Sequence, residues 1–124
     1  MDLNKSITFA EGVDTSEVLP QVEKLLEDGW VLNEEGNGLK KRFHFNTFTK
    51  VMDFGICIAI KSKRVNHHPE LTLKAGTVDA FWTTHVPPGL SMKDVRMANY
   101  CEDAARDMVI PVEQSQAMDC SSRG

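Results

Sequence analysis

Apolar residues recur along this chain at two spacings, and each change of spacing marks a new element. In "DTSEVLPQVEKLLEDG", Val18, Val22, Leu25 and Leu26 fall on one side of a helix. Asp14 or Thr15 caps it, Glu17 stands in its first turn, and Gly29 ends it. Pro20 fits only near a helix start or at a kink, which leaves the first residue of this helix open. "WVLNEEGNGLKKRFHF" follows. Two strand-like runs flank "EEGNG", whose Gly and Asn supply the positive φ angles of a tight hairpin. Asn46 then caps a second helix, "TFTKVMDFGICIAIKSK", which ends near Arg64. Phe48, Val51, Met52, Gly55, Ile56 and Ala59 form its expected apolar stripe.

"ELTLKAG" is a short strand that turns at Gly76. In "TVDAFWTTH" the pattern alternates: Val78, Ala80 and Trp82 share one face, and Asp79, Phe81, Thr83 and His85 share the other. "VPPG" is a loop. "SMKDVRMANYCEDAARDMVI" is the last helix, with Ser91 and Asp94 in capping-box spacing and Pro111 beyond its end. Its stripe of Val95, Ala98, Cys101, Ala105 and Met108 serves either as core or as a face for self-association.

The element order is α-β-β-α-β-β-α. Strands joined by tight turns pair antiparallel. The predicted fold is α+β: a four-stranded antiparallel sheet with helices packed on one face. Residues 1–13 are expected as a loosely ordered lead-in, 14–110 as a single domain, and 111–124 as a polar, disordered tail. A chain of 124 residues can form one core without staples.

Charge and cysteine content narrow the function. A net charge of −4 argues against nucleic acid as a partner, and the short basic runs at Lys40–Arg42 and Lys63–Arg64 read as solvated surface. No apolar run approaches membrane-spanning length, so no membrane partner is expected. Cys57, Cys101 and Cys120 are widely spaced with no zinc-type motif. They read as thiols of a reducing compartment, and no metal site is predicted. The N-terminus lacks a signal-peptide core, which makes the cytoplasm the expected location.

The chemistry concentrates at "VNHHPEL". Two of the four histidines, His67 and His68, stand side by side. Imidazole exchanges protons near neutral pH. Pro69 disfavours the helical region for His68 and holds it extended. Adjacent rings repel when both are charged, so they take up protons one at a time. Alone, the motif serves equally well as an exposed connector. His85 changes the balance. It ends the strand that returns antiparallel to "ELTL", which brings it to the edge where His67 and His68 lie. Asp94 follows in the next helix, where it is also the acid of the capping box. His44 reads as an ordinary strand residue.

These residues together resemble the pterin-4a-carbinolamine dehydratase family. The resemblance rests on "HHP", a later His ending a strand, and "LSMKD" opening a helix, supported by "DGW" at 28–30 and "KRFHFNTFTKVMDF" at 41–54. It implies removal of water from a 4a-hydroxytetrahydropterin, giving a quinonoid dihydropterin, in tetrahydrobiopterin recycling. It implies no cofactor, since the pterin N5 pushes out the hydroxyl. By position, His67, His68 and His85 form the acid–base set. Either His68 or His85 is the proton donor, and Asp94 orients or tunes a histidine. Asn66, Pro69, Thr83, Thr84, Val86 and Trp30 are the implied pterin-holding residues. The resemblance also implies a homodimer or homotetramer.

Three positions depart from the family pattern. Lys63 replaces a common acid, and Leu71 and Ala75 stand where aromatics are usual. These bear on pterin affinity more than on proton transfer. Two other readings remain. Animal members act as dimerisation partners of a homeodomain transcription factor, so the chain could be a non-catalytic binding module and coactivator. It could also be a dehydratase-like fold without turnover. A binding module has no need of three convergent histidines, which ranks the enzyme first.

Overall fold

The structure, a computed structural model, describes residues 6–108. Helix α1 (Thr15–Glu27) begins at the cap Asp14, whose Oδ1 accepts from the Ser16 amide at 3.1 Å and the Ser16 hydroxyl at 2.6 Å. Pro20 sits inside this helix on its exposed side, where water reaches the carbonyl its missing N–H leaves unpaired. Strands β1 (Val31–Leu32) and β2 (Gly38–His44) form the expected hairpin. Gly36 takes φ +70° in the turn. Asn33 Oδ1 braces the turn by accepting from the Asn37 and Gly38 amides at 2.9 and 3.1 Å.

Helix α2 (Phe48–Val65) is capped by Thr47, not Asn46; the Thr47 hydroxyl accepts from the Lys50 amide at 3.1 Å. The face it buries also differs from the expectation. Val51, Phe54, Gly55, Ile58 and Ser62 point inward, while Phe48, Met52, Ile56 and Ala59 of the predicted stripe are exposed. The helix is apolar on two sides, so periodicity alone did not single out the buried one. Gly55 lets Leu73 of the following strand approach closely; an added Cβ would stand 2.8 Å from Leu73 Cδ2 and make that side chain shift.

Strands β3 (Glu70–Leu73) and β4 (Thr77–His85) follow, then the two-residue β5 (Pro88–Gly89) and helix α3 (Met92–Met108). The sheet order is β1-β2-β4-β3, antiparallel throughout, with β5 folded back on the end of β4. The fold is α+β as predicted, with this short fifth strand in place of a plain loop. Alternate residues of β4 (Val78, Ala80, Trp82 and Thr84) are buried on the helix side. The apolar stripe of α3 is core: Val95, Ala98 and Cys101 are fully buried and Ala105 nearly so. It is not a surface for self-association.

The lead-in also differs from expectation. Ile7 and Ala10 are buried, and the segment is stitched to the loop before α3 by Ala10 N–H to Leu90 O and Leu90 N–H to Thr8 O, each 2.9 Å. Gly89, at φ +129°, permits this approach; a Cβ there would lie 2.6 Å from the Ala10 nitrogen. The predicted tail, 111–124, lies outside the described residues.

Candidate active site

The end of α2 sets the position of the first histidine. Asn66 adopts the left-handed conformation (φ 57°, ψ 44°), which Asn tolerates better than most residues. Its N–H bonds Lys63 O at 3.3 Å, and the His67 N–H bonds Ser62 O at 3.1 Å, which together form a Schellman motif. The chain turns sharply, and His67 is carried back against the core. Only 8% of it is exposed, and its ring stacks on Trp82 at 5.6 Å between centroids.

Asp94 meets it from the start of α3. His67 Nε2 lies 2.6 Å from Asp94 Oδ1, and Asp94 is fully buried. The other carboxylate oxygen, Oδ2, accepts from the Ser91 amide at 3.0 Å and the Thr84 hydroxyl at 2.9 Å. The Ser91 Oγ accepts from the Lys93 amide at 3.2 Å, completing the capping box, and lies 2.6 Å from Thr84 Oγ1. Asp94 is therefore both cap acid and histidine partner, one oxygen for each. Burial pushes its carboxyl above the usual range; hydrogen bonds from His67, Ser91 and Thr84 pull in the opposite direction. Whenever Asp94 is ionised, the short contact needs the proton on His67 Nε2, which fixes the ring's tautomer and orientation.

The β3–β4 register places the other two rings. Glu70 pairs with Phe81 and Leu71 with Ala80. His67 and His68 stand just before β3 and His85 is the last residue of β4, so all three lie beyond the Glu70–Phe81 pair at the same end of the ladder. Thr83 and His85 share the sheet face away from the helices, and both His68 and His85 are exposed. All three histidines gather at one end of the sheet. They differ in burial: His67 is packed with Trp82 and Asp94, while His68 and His85 are exposed.

The other residues implied to hold a pterin differ in their exposure. Asn66 and Val86 are exposed, Pro69 is half-buried, and the Thr83 hydroxyl donates to the Asn37 carbonyl. Thr84 is not available to a ligand, because its hydroxyl is buried among Asp94 and Ser91. Trp30 is not at the site either. It is 1% exposed, packs edge-on against Phe43, and donates from Nε1 to Glu102 Oε2 at 2.8 Å. Lys41 Nζ reaches the same carboxylate oxygen at 2.6 Å. Sequence reasoning missed Trp82 as the platform for His67; its shared strand parity with Thr84 is the signal that would have found it. Among the described residues, no three His, Cys, Asp or Glu side chains group as metal ligands.

The model of the pterin 4 alpha carbinolamine dehydratase family matches residues 11–104, a span that holds all of this network. The chain belongs to that family. A pterin-4-alpha-carbinolamine dehydratase of Drosophila melanogaster is 34% identical over 85 residues, covering 68% of this chain and 44% of that protein. A protein of Rhizobium meliloti (strain 1021), named provisionally for the same activity, is 33% identical over 95 residues, covering 77% of this chain and 89% of its own. The crystal structure of a transcriptional coactivator/pterin dehydratase from Brucella melitensis superposes with a TM-score of 0.67 at 26% identity, over 75% of this chain and 97% of that one. A pterin dehydratase-like protein described as a RuBisCO assembly factor in the alpha-carboxysome shares the fold, with a TM-score of 0.55 at 19% identity over 62% of this chain and 89% of its own. Within this dehydratase family frame, Lys63 is exposed in the last turn of α2, Leu71 is half-buried in β3, and Ala75 is exposed in the turn before β4.

Proposed function

We propose that the protein dehydrates 4a-hydroxytetrahydropterin to quinonoid dihydropterin and water, in the cytoplasm, as a step of tetrahydrobiopterin recycling. The observation that carries this reading is the pair of exposed rings, His68 and His85, at one sheet end above a buried His67–Asp94 bond, in a chain of the dehydratase family.

The reaction asks little beyond proton handling. The C4a–O bond breaks as the N5 lone pair forms the C4a=N5 bond. The leaving hydroxyl takes a proton and departs as water, and N5 gives up its proton. The nitrogen supplies the electrons, so the step requires no metal or organic cofactor. Two imidazoles suffice as donor and acceptor. His68 and His85, both open to solvent, take those roles. His67, whose Nε2 is committed to Asp94, acts as a positioning residue that fixes the chain on which His68 stands. Dehydration of synthetic 4a-hydroxytetrahydropterin, with the uncatalysed rate subtracted, tests the reading.

A self-associated state accompanies it. Phe48, Met52, Ile56 and Ile60 recur every fourth residue along α2, and each is between 36% and 55% exposed. We infer that a second copy of the chain covers this stripe by a symmetric helix contact. The same stripe supports the alternative reading, a binding module. The double name of the Brucella melitensis protein favours keeping it as the second reading.

A further inference from the structure

A groove of about 510 Å³ lies between the C-terminal half of α2 and the N-terminal half of α3. His67 is part of its lining while His68 and His85 are not, so the groove meets the candidate active site at its buried histidine and lies apart from the two exposed rings. Its walls carry three cations from two helices: Lys61 on one side, Lys93 and Arg96 on the other. Among the described residues, none of the three has a carboxylate partner. The one carboxylate in the lining, Asp103, is bonded to Arg106 at 2.9 Å.

The placement of two of these cations is unfavourable to the fold. Lys93 stands in the first turn of α3 and Arg96 in the second, at the positive end of the helix dipole, where acids are preferred. Asp94, the only acid of that first turn, is buried and turned to His67. The cations thus add positive potential to a groove end that the helix already makes positive. This occurs on a chain whose net charge is −4. The groove also has an apolar wall. Val65, Met97 and the Tyr100 ring line it, with Lys61 Nζ held 5.3 Å over that ring. A cavity of this size, part apolar and with a few convergent charges, suits a small ligand.

We propose that this groove binds a small organic anion, a phosphate ester or carboxylate. Its charged group lies between Lys61, Lys93 and Arg96, and its apolar part lies on Val65, Met97 and Tyr100. Phenyl phosphate and benzoate are suitable probes, with benzyl alcohol as the uncharged counterpart and inorganic phosphate as the anion without an apolar part. Titrations by calorimetry and by amide chemical shifts read the binding. The expected result is saturable one-to-one binding of at least one of the two aromatic anions, with shifts at Lys93, Arg96 and Tyr100. The affinity falls roughly tenfold or more in the double variant Lys93→Gln/Arg96→Gln, whose exposed substitutions leave the fold intact by circular dichroism. Whichever aromatic anion binds tighter names the source. Lys24→Gln, on α1, leaves binding unchanged. The proposal is overturned if neither aromatic anion saturates, if benzyl alcohol or inorganic phosphate binds as tightly, or if the double variant binds like the wild type.

Discussion

Asp94 holds His67 with one carboxylate oxygen and the start of its own helix with the other. A single buried side chain thus ties the loop after α2, the end of β4 and the first turn of α3. Asp94→Ala leaves the His67 ring, the Thr84 hydroxyl and the Ser91 amide without their partner. The expected loss of stability is about 3 kcal/mol or more, read by urea unfolding. A loss below about 1 kcal/mol, the scale of a lone cap, would mean that the His67 contact contributes nothing.

The pH dependence of that network has a definite sign. Burial raises the folded Asp94 pKa above 3.8, so the native chain keeps this proton to higher pH than the unfolded chain does. The stability this group contributes is full below the unfolded value and declines as pH rises through the folded one. Asp94→Asn cannot ionise and lacks the decline. Wild type should therefore lose stability relative to Asp94→Asn as pH rises from below 3.8. A relative gain over the same interval would show that the His67 bond outweighs burial.

Tyr100 is the only tyrosine of the chain, so ultraviolet titration of the phenolate reads it alone. Its hydroxyl lies 3.2 Å from Cys57 Sγ, and that hydrogen bond, with burial, lifts its pKa from 10.0 to about 12. The titration midpoint should lie near 12 in the wild type and move down toward 10 in Cys57→Ala. An unshifted midpoint in the variant would remove Cys57 as the cause.

The exposed stripe of α2 predicts the oligomeric state. Light scattering at micromolar concentration should find a species larger than the 13.9 kDa chain. Ile56→Glu puts a charge in the middle of the stripe and should return the protein to that mass with its helix content unchanged. A wild type that runs at 13.9 kDa would leave the stripe without a self-partner.

Much of the fold was legible because the local signals agreed with one another. Both hairpins were marked by turn glycines, the β4 alternation by Val78, Ala80 and Trp82, and the α3 cap by Ser91 and Asp94. The HHP segment and His85 came to one sheet end because an antiparallel register requires it. Features set by tertiary contacts were not legible. Phe54 and Ile58, not Phe48 and Ile56, face the sheet, and a helix apolar on both sides carries no local signal for that choice. The lead-in around Ile7 and Ala10 is held by backbone bonds of Thr8 and Ala10 to Leu90, a partner far along the chain. Trp30 was assigned to the pterin through a family motif, but its indole N–H is satisfied by Glu102 inside the fold. The burial of His67 beside an exposed His68 comes directly after the left-handed turn at Asn66, which no hydrophobic pattern encodes.

The central claim is that His68 and His85 move the protons while His67 holds the site in place. Dehydration of 4a-hydroxytetrahydropterin, followed by absorbance and corrected for the uncatalysed rate, tests it directly. Wild type should accelerate the loss of water. His68→Ala and His85→Ala should each lower the catalysed rate by roughly 10²-fold or more while folding normally, as loss of an acid–base group does. His67→Ala should lower stability as well as rate, and His67→Gln should recover part of both. A folded wild type that only matches the uncatalysed rate would contradict the account and bring the binding module forward.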